Sequence, residues 1–175
     1  MKTLYLDIFS GISGDMLIGA LIDLGADARR LERGLKKLKL HGYHLHVAHK
    51  QKSGIEGVKF DVHLARAHEH DHDHEHGHAH AHEHHHDDSR TFAEIKKLIS
   101  RSQLSPWVKR KSVAVFHRIA DAEGKIHGMP PARVHFHEVG AVDSIVDIVG
   151  ACIALEMLGK LRVQSAPVVE GVGWV

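Results

Sequence analysis

The sequence predicts an α/β fold in which a mixed sheet packs with helices, as a single domain interrupted by a disordered His-rich loop. Three observations carry that expectation. Short apolar runs of strand length alternate along the chain with longer runs of helical period. The 175 residues suit one domain, and setting the His-rich segment aside leaves roughly 150, enough for a real core. Aromatics are only 5% of the chain, so that core must be aliphatic: Leu, Ile, Val and Ala.

Leu4 to Phe9 is a short apolar run ending at Ser10-Gly11, and it reads as a buried strand. Gly14 and Asp15 then open a helix through MLIGALIDLGAD, with Gly25 as its stop signal. Ala28 to Leu40 places apolar residues at 31, 35 and 38 among many bases, the pattern of an amphipathic surface helix. Residues 44–49 and 58–65 alternate on either side of KSGIEG, which predicts an antiparallel hairpin. Thr91 to Arg101 and Pro106 to Lys125 read as helices, the second with Ser105 as N-cap and Pro106 in its first turn. Gly128-Met-Pro-Pro marks a turn, and Val134 to Val139 a short strand or extended loop. Val142 to Leu158 is apolar nearly all round, so it predicts a central buried helix closed by Gly159. Leu161 to Val163 begins another strand, and no internal repeat is visible.

Residues 1–66 and 89–175 thus form two parts of one domain around a loop at 67–88. The segment His68 to Asp88 holds eleven histidines in twenty-one residues, at positions His68, His70, His72, His74, His76, His78, His80, His82, His84, His85 and His86. Imidazole is the commonest side-chain ligand for late divalent metals and is neutral near pH 7. The interleaved Asp and Glu add negative charge beside those ligands. The tract points to loose metal capture. Being degenerate, it cannot fix one coordination geometry and is a poor catalytic centre.

The tract carries seven acids and no bases, so with neutral histidines the rest of the chain stands at +8 behind a formal net charge of +1. A basic body suits an anionic, phosphorylated ligand. No Lys/Arg stripe with interleaved aromatics appears, so nucleic acid is not expected. Cys152, the single cysteine, sits in an apolar run and reads as a buried, inert thiol. No stretch reaches the ~18 apolar residues needed to span a bilayer, and the chain reads as soluble and cytoplasmic. It ends on the apolar, Gly-rich EGVGWV, which reads as the first part of a longer protein.

Two compact motifs could carry chemistry. In Asp7-Ile-Phe-Ser10-Gly11-Ile-Ser13-Gly14-Asp15 a strand runs into a Gly/Ser turn that opens a helix. Such a turn gathers backbone N–H groups for an anion, while the two acids could hold a metal or accept a hydrogen bond. A plain turn with Asp15 as a cap explains the same residues. In the second motif, an extended His135-Phe-His137-Glu138 would project both histidines to one face. Asp143 and Asp147 follow, four apart on an otherwise apolar helix. A metal or substrate site built from these five residues is set against helix-dipole capping as the other reading. His44 and His46 share a strand face, and solvated strand positions are the expectation for both.

The Asp7–Met16 motif, the His-rich insertion and VHFHEVGAVDSIVDIVGA together resemble the nickel-insertion (LarC) family of nickel-pincer cofactor biosynthesis, over nearly the whole chain. The resemblance implies delivery of Ni²⁺ to pyridinium-3,5-bisthiocarboxylic acid mononucleotide, giving the cofactor of lactate racemase. It also implies a lyase-class, chelatase-type reaction that consumes CTP with Mg²⁺ or Mn²⁺ at a C-terminal domain, which this chain ends before. Beside that reading stands a non-enzymatic nickel or zinc storage protein or metallochaperone, for which the tract alone would suffice. A hydrolase using Ser10 or Ser13 as nucleophile lacks an identifiable base.

Overall fold

A computed structural model describes residues 2–9, 11–64, 90–136 and 139–168. The expected His-rich loop, Ser10, His137, Glu138 and the final residues 169–175 lie outside the described residues. Strand β1 (Thr3–Leu6) is followed by helix α1 (Gly14–Asp23) and helix α2 (Ala28–Leu35), which tightens into a 3₁₀ turn over Lys36–Leu38. The hairpin strands are β2 (Tyr43–Lys52) and β3 (Ile55–Leu64). Then come β4 (Arg90–Thr91), α3 (Phe92–Arg101), α4 (Pro106–His127), a 3₁₀ turn Pro131–Arg133, β5 (His135–Phe136), α5 (Val142–Met157) and β6 (Arg162–Ser165).

Local chemistry sets several of these boundaries. The Asp27 carboxylate accepts the Arg30 N–H at 2.6 Å and starts α2. Thr91 and Glu94 form a capping box, each side chain accepting the other residue's backbone N–H, and so begin α3. Ser105 caps α4 by accepting the Val108 N–H at 3.1 Å, and its own hydroxyl donates to Glu156 of α5. At the far end, Gly128 with φ of 64° stops α4. Between β2 and β3 only Ser53 and Gly54 turn the chain, both with positive φ, as a two-residue I′ turn requires. The hairpin is therefore longer and tighter than its alternation suggested. β1 is shorter than expected, because the Gly11 N–H folds back onto the Ile8 carbonyl and ends the extended run.

The α/β class is as expected, but the strands divide into three two-stranded ladders: β1 parallel to β6, β2 antiparallel to β3, and β4 antiparallel to β5. The reason lies in α5. A helix apolar over most of its surface needs cover on most of it, so it takes the centre and the strands are left to its flanks. Ile145, Val146 and Val149 are fully buried, and α1, α2, α4 and β3 all pack on α5. Burying each such side chain contributes about 1.5–3 kcal/mol. Leu31, Leu35 and Leu38 fill the core from α2 and its 3₁₀ turn, on the spacing read from the sequence. Cys152 is buried, and burial pushes its thiol up, as suits an inert packing residue.

The hairpin reaches this core through α1. A Cβ on Gly19 would lie 2.3 Å from the Val58 carbonyl oxygen, so α1 rests directly on the backbone of β3. Gly19→Ala should cost about 1–3 kcal/mol through overpacking. At roughly 2–4 °C per kcal/mol for a chain of this size, thermal unfolding should show a melting point lowered by several degrees. An unchanged melting point would mean the contact is looser than drawn.

Candidate functional site

The two sequence motifs meet at the N-terminal ends of α1 and α5. Asp7 stands exposed where β1 ends, buried Ile8 anchors the loop, and Gly11 turns it with φ of 79°. Ser13 occupies the N-cap position of α1 in extended conformation, yet makes no cap. Its hydroxyl donates instead to the Asp15 carboxylate. Nor does a side chain cap α5, whose N-cap residue is Ala141.

Packing joins these ends. A Cβ on Gly14 would fall 2.5 Å from Asp147 Oδ2 and 2.6 Å from Asp147 Cβ, so the Asp147 side chain lies flat against the Gly14 backbone. One turn further along, Gly150 lets Ile18 approach to 2.9 Å of the corresponding position. The pairs Gly14–Asp147 and Ile18–Gly150 run in the same direction, so the two helices are locally parallel and both positive dipole ends point the same way.

Asp147 is half-buried, and its Oδ1 is enclosed without a hydrogen-bond partner. Burial, then the carboxylates of Asp15 and Asp143, push its pKa up to about 6. Asp143 is exposed and accepts the Ser144 N–H at 2.8 Å. Asp15 and Asp143 thus act on Asp147 electrostatically, while among the described residues the three carboxylates do not bring their oxygens within 4.8 Å of one another as a ready ligand set would.

The structure thus gathers Ser13, Gly14, Asp15, Asp143 and Asp147, with Asp7 and Gly11 on the approach. His135 is exposed on β5 opposite Thr91, where its charge acts on Glu94. Two Thr91 hydrogen bonds, ahead of that charge, hold the Glu94 carboxyl below its usual range. Nearby, the Arg90 guanidinium donates to the Gly140 carbonyl at 2.8 Å and ties β4 to the turn before α5. Ser13 has a carboxylate for a partner rather than an imidazole, which leaves the serine-nucleophile reading without its base. On α4, His117 and His127 pair with Asp121 and Glu123 one turn away, as solvated helix histidines do.

A group that the sequence reading passed over is His46, Asp61 and His63, whose ligand atoms all lie within 4.8 Å of one another on the hairpin. The signal was available. A two-residue turn at Ser53-Gly54 fixes the register, and that register sets His46 opposite Asp61 and His44 opposite His63.

Residues 4–175 match the family described as nickel insertion protein. Three similar curated relatives are called pyridinium-3,5-bisthiocarboxylic acid mononucleotide nickel insertion protein. The relative from Lactiplantibacillus plantarum is 49% identical, with all of this chain aligned to 42% of its length. That from Geobacillus kaustophilus is 50% identical over 99% of this chain and 40% of its own. A third, from Akkermansia muciniphila, is 48% identical over all of this chain and 41% of its own. The chain therefore spans about two fifths of the relatives it matches. No solved structure matches it. Among the described residues no helix is long and apolar enough to cross a membrane.

The raised Asp147 pKa has a sign that can be measured. An unfolded Asp ionises near 3.9, the folded one near 6, so the native state holds the extra proton between those values. Stability therefore falls as pH rises from 4 to 6 on this account, and the full penalty persists above. Asp147→Asn should melt a few degrees higher than the parent at pH 7.5, with the difference vanishing near pH 4. A pH-independent difference would contradict the carboxylate coupling.

Proposed function

We propose that this chain, which belongs to the nickel insertion protein family, binds Ni²⁺ and a thiolated pyridinium mononucleotide and brings the two together for insertion. The observation that carries this reading is the meeting of two motifs far apart in sequence, where Asp15 and Asp143 act electrostatically on Asp147 and the Asp147 Oδ1 is enclosed without a partner. A storage protein needs only the His tract and leaves this arrangement without a use.

Each part then has a role. The tract from His68 to His86 captures nickel loosely. The carboxylates of Asp143 and Asp147, joined by Asp15, receive it as substrate, with His135, His137 and Glu138 as the nitrogen and oxygen donors that complete its shell. The loop from Asp7 through Ser10, Gly11, Ser13 and Gly14 to Asp15 cradles the mononucleotide phosphate. Phosphate and three carboxylates repel one another, so a divalent cation between them is what makes one site serve both. Ligand softness gives the transfer its direction. Carboxylate oxygens hold Ni²⁺ less well than sulfur does, so the thiocarboxylates of the substrate draw the ion away from the protein.

The finer parts of the reading rest on the resemblance to the family alone. They are a lyase-class reaction drawing on CTP with Mg²⁺ or Mn²⁺ in a C-terminal domain, delivery of the product to a recipient racemase, and action in the cytoplasm.

Binding tests the reading directly. Titrating the thiolated mononucleotide with and without Ni²⁺ should give a charge-transfer absorbance only when protein, metal and nucleotide are together. Asp147→Asn and the pair His135→Ala/His137→Ala should each weaken that signal at least tenfold while sparing bulk nickel uptake. An undiminished signal in both would return these residues to structural roles. Deleting residues 68–88 should lower the number of Ni²⁺ bound in equilibrium dialysis and leave the circular dichroism spectrum unchanged. Nickel uptake by the tract should fall steeply below about pH 6, as imidazoles protonate.

A further inference from the structure

We propose that the outer face of the β2–β3 hairpin is a separate divalent-metal site, formed by His46, Asp61 and His63, that takes a late first-row ion such as Ni²⁺ or Zn²⁺. It shares no residue with the carboxylates at the ends of α1 and α5.

Register builds it. In an antiparallel pair, residues two apart on one strand and their cross-strand partners all share a face. His46 stands opposite Asp61 and His44 opposite His63, so three imidazoles and one carboxylate project together. The other face carries Tyr43, Leu45, Phe60 and Val62, which pack into the core. That packing fixes the roll of the hairpin, and the histidines are held outward without needing any ligand of their own.

The distances suit one ion. Imidazole and carboxylate ligands sit about 2.0–2.2 Å from a bound divalent metal, which separates neighbouring ligand atoms by about 3–4 Å. Here the three ligand atoms lie within 4.8 Å of one another, and His46 Nδ1 is 4.0 Å from Asp61 Oδ2, so small side-chain rotations close the set. The Lys59 ammonium engages the other oxygen, Oδ1, and leaves Oδ2 facing the histidines. The His44 ring stacks on His63 with centroids 5.1 Å apart and planes 10° from parallel, which steadies the imidazole that must ligate.

Ligand type selects the metal class. Two imidazoles and a carboxylate favour nickel, zinc or cobalt, whereas magnesium and calcium prefer oxygen alone. Lys59 opposes any cation and sets the affinity below that of a closed four-ligand site. In sequence His63 stands five residues before His68, so an ion leaving the degenerate tract meets this fixed site on the same chain. A solvated strand face would also carry alternating polar residues. Here the face sets three ligand atoms from two strands within 4.8 Å of one another.

The test uses the whole chain with all eleven tract histidines changed to Gln and with His135→Ala, His137→Ala and Asp147→Asn removing the proposed transfer site, titrated with nickel sulfate and followed by calorimetry and X-ray absorption. The expected result is one Ni²⁺ per chain carrying two imidazoles in its absorption fine structure. His46→Gln or His63→Gln in that background should weaken it at least tenfold. Lys59→Gln removes no ligand and should tighten binding severalfold, which keeps the test decisive even if a histidine variant folds poorly. Three results would overturn the proposal: no nickel with imidazole ligation, nickel retained in the histidine variants, or no gain from Lys59→Gln.

Discussion

The close parallel packing of α1 on α5 is the contact from which the rest of the molecule follows. It exists because Gly14 and Gly150 carry no Cβ where Asp147 and Ile18 must pass. Helices that approach this closely bring their N-termini to the same end of the domain, and with them every acid placed in those first turns. The loop from Asp7 to Ser13 is carried along, because β1 is tied by its pairing to β6 just beyond the far end of α5. A wider spacing of the two helices would leave Asp147 in water, with an ordinary pKa and no enclosed oxygen.

That arrangement opposes its own stability. Three carboxylates near two helix ends gain something from the dipoles, yet burial and mutual repulsion outweigh that gain at Asp147. The fold tolerates the strain because α5 buries a broad apolar face, with Val142, Ile145, Val146, Val149, Cys152, Ile153 and Ala154 all inside the core. Charge that is unfavourable in the free protein becomes favourable once a divalent cation joins it. In the proposed function, nickel passes from interchangeable imidazoles to a few oxygens and then to sulfur, each step toward a more defined set of ligands. The hairpin histidines fit the first half of that path, with fixed geometry but solvent-exposed ligands.

Much of the fold was legible because local signals agree with tertiary ones. Asp27, Thr91, Ser105 and Gly128 start and stop helices by hydrogen bonds and backbone preferences that act within a turn or two. The leucines at 31, 35 and 38 announced a buried stripe. The division of the strands was not legible. Whether two apolar runs join one sheet depends on what lies between them, and only the packing of α1, α2 and α4 on α5 shows that helices fill that space. Ser53-Gly54 could have fixed the hairpin register, and with it the faces of Asp61 and His63. Read as KSGIEG, the turn was six residues wide and the register was lost.

The sequence alone determined which residue types are present and where each local element begins: the His tract, the aliphatic core, the two motifs rich in Gly, Asp and His, and the caps. These depend on side-chain chemistry and on spacing within a few residues. Tertiary structure alone decided that Asp15 and Asp147, more than a hundred positions apart, would share one electrostatic environment. It also decided that two hairpin histidines would converge on an aspartate. Coulombic coupling and coordination act over a few ångströms of space, and spacing along the chain carries no measure of that distance until packing has closed it.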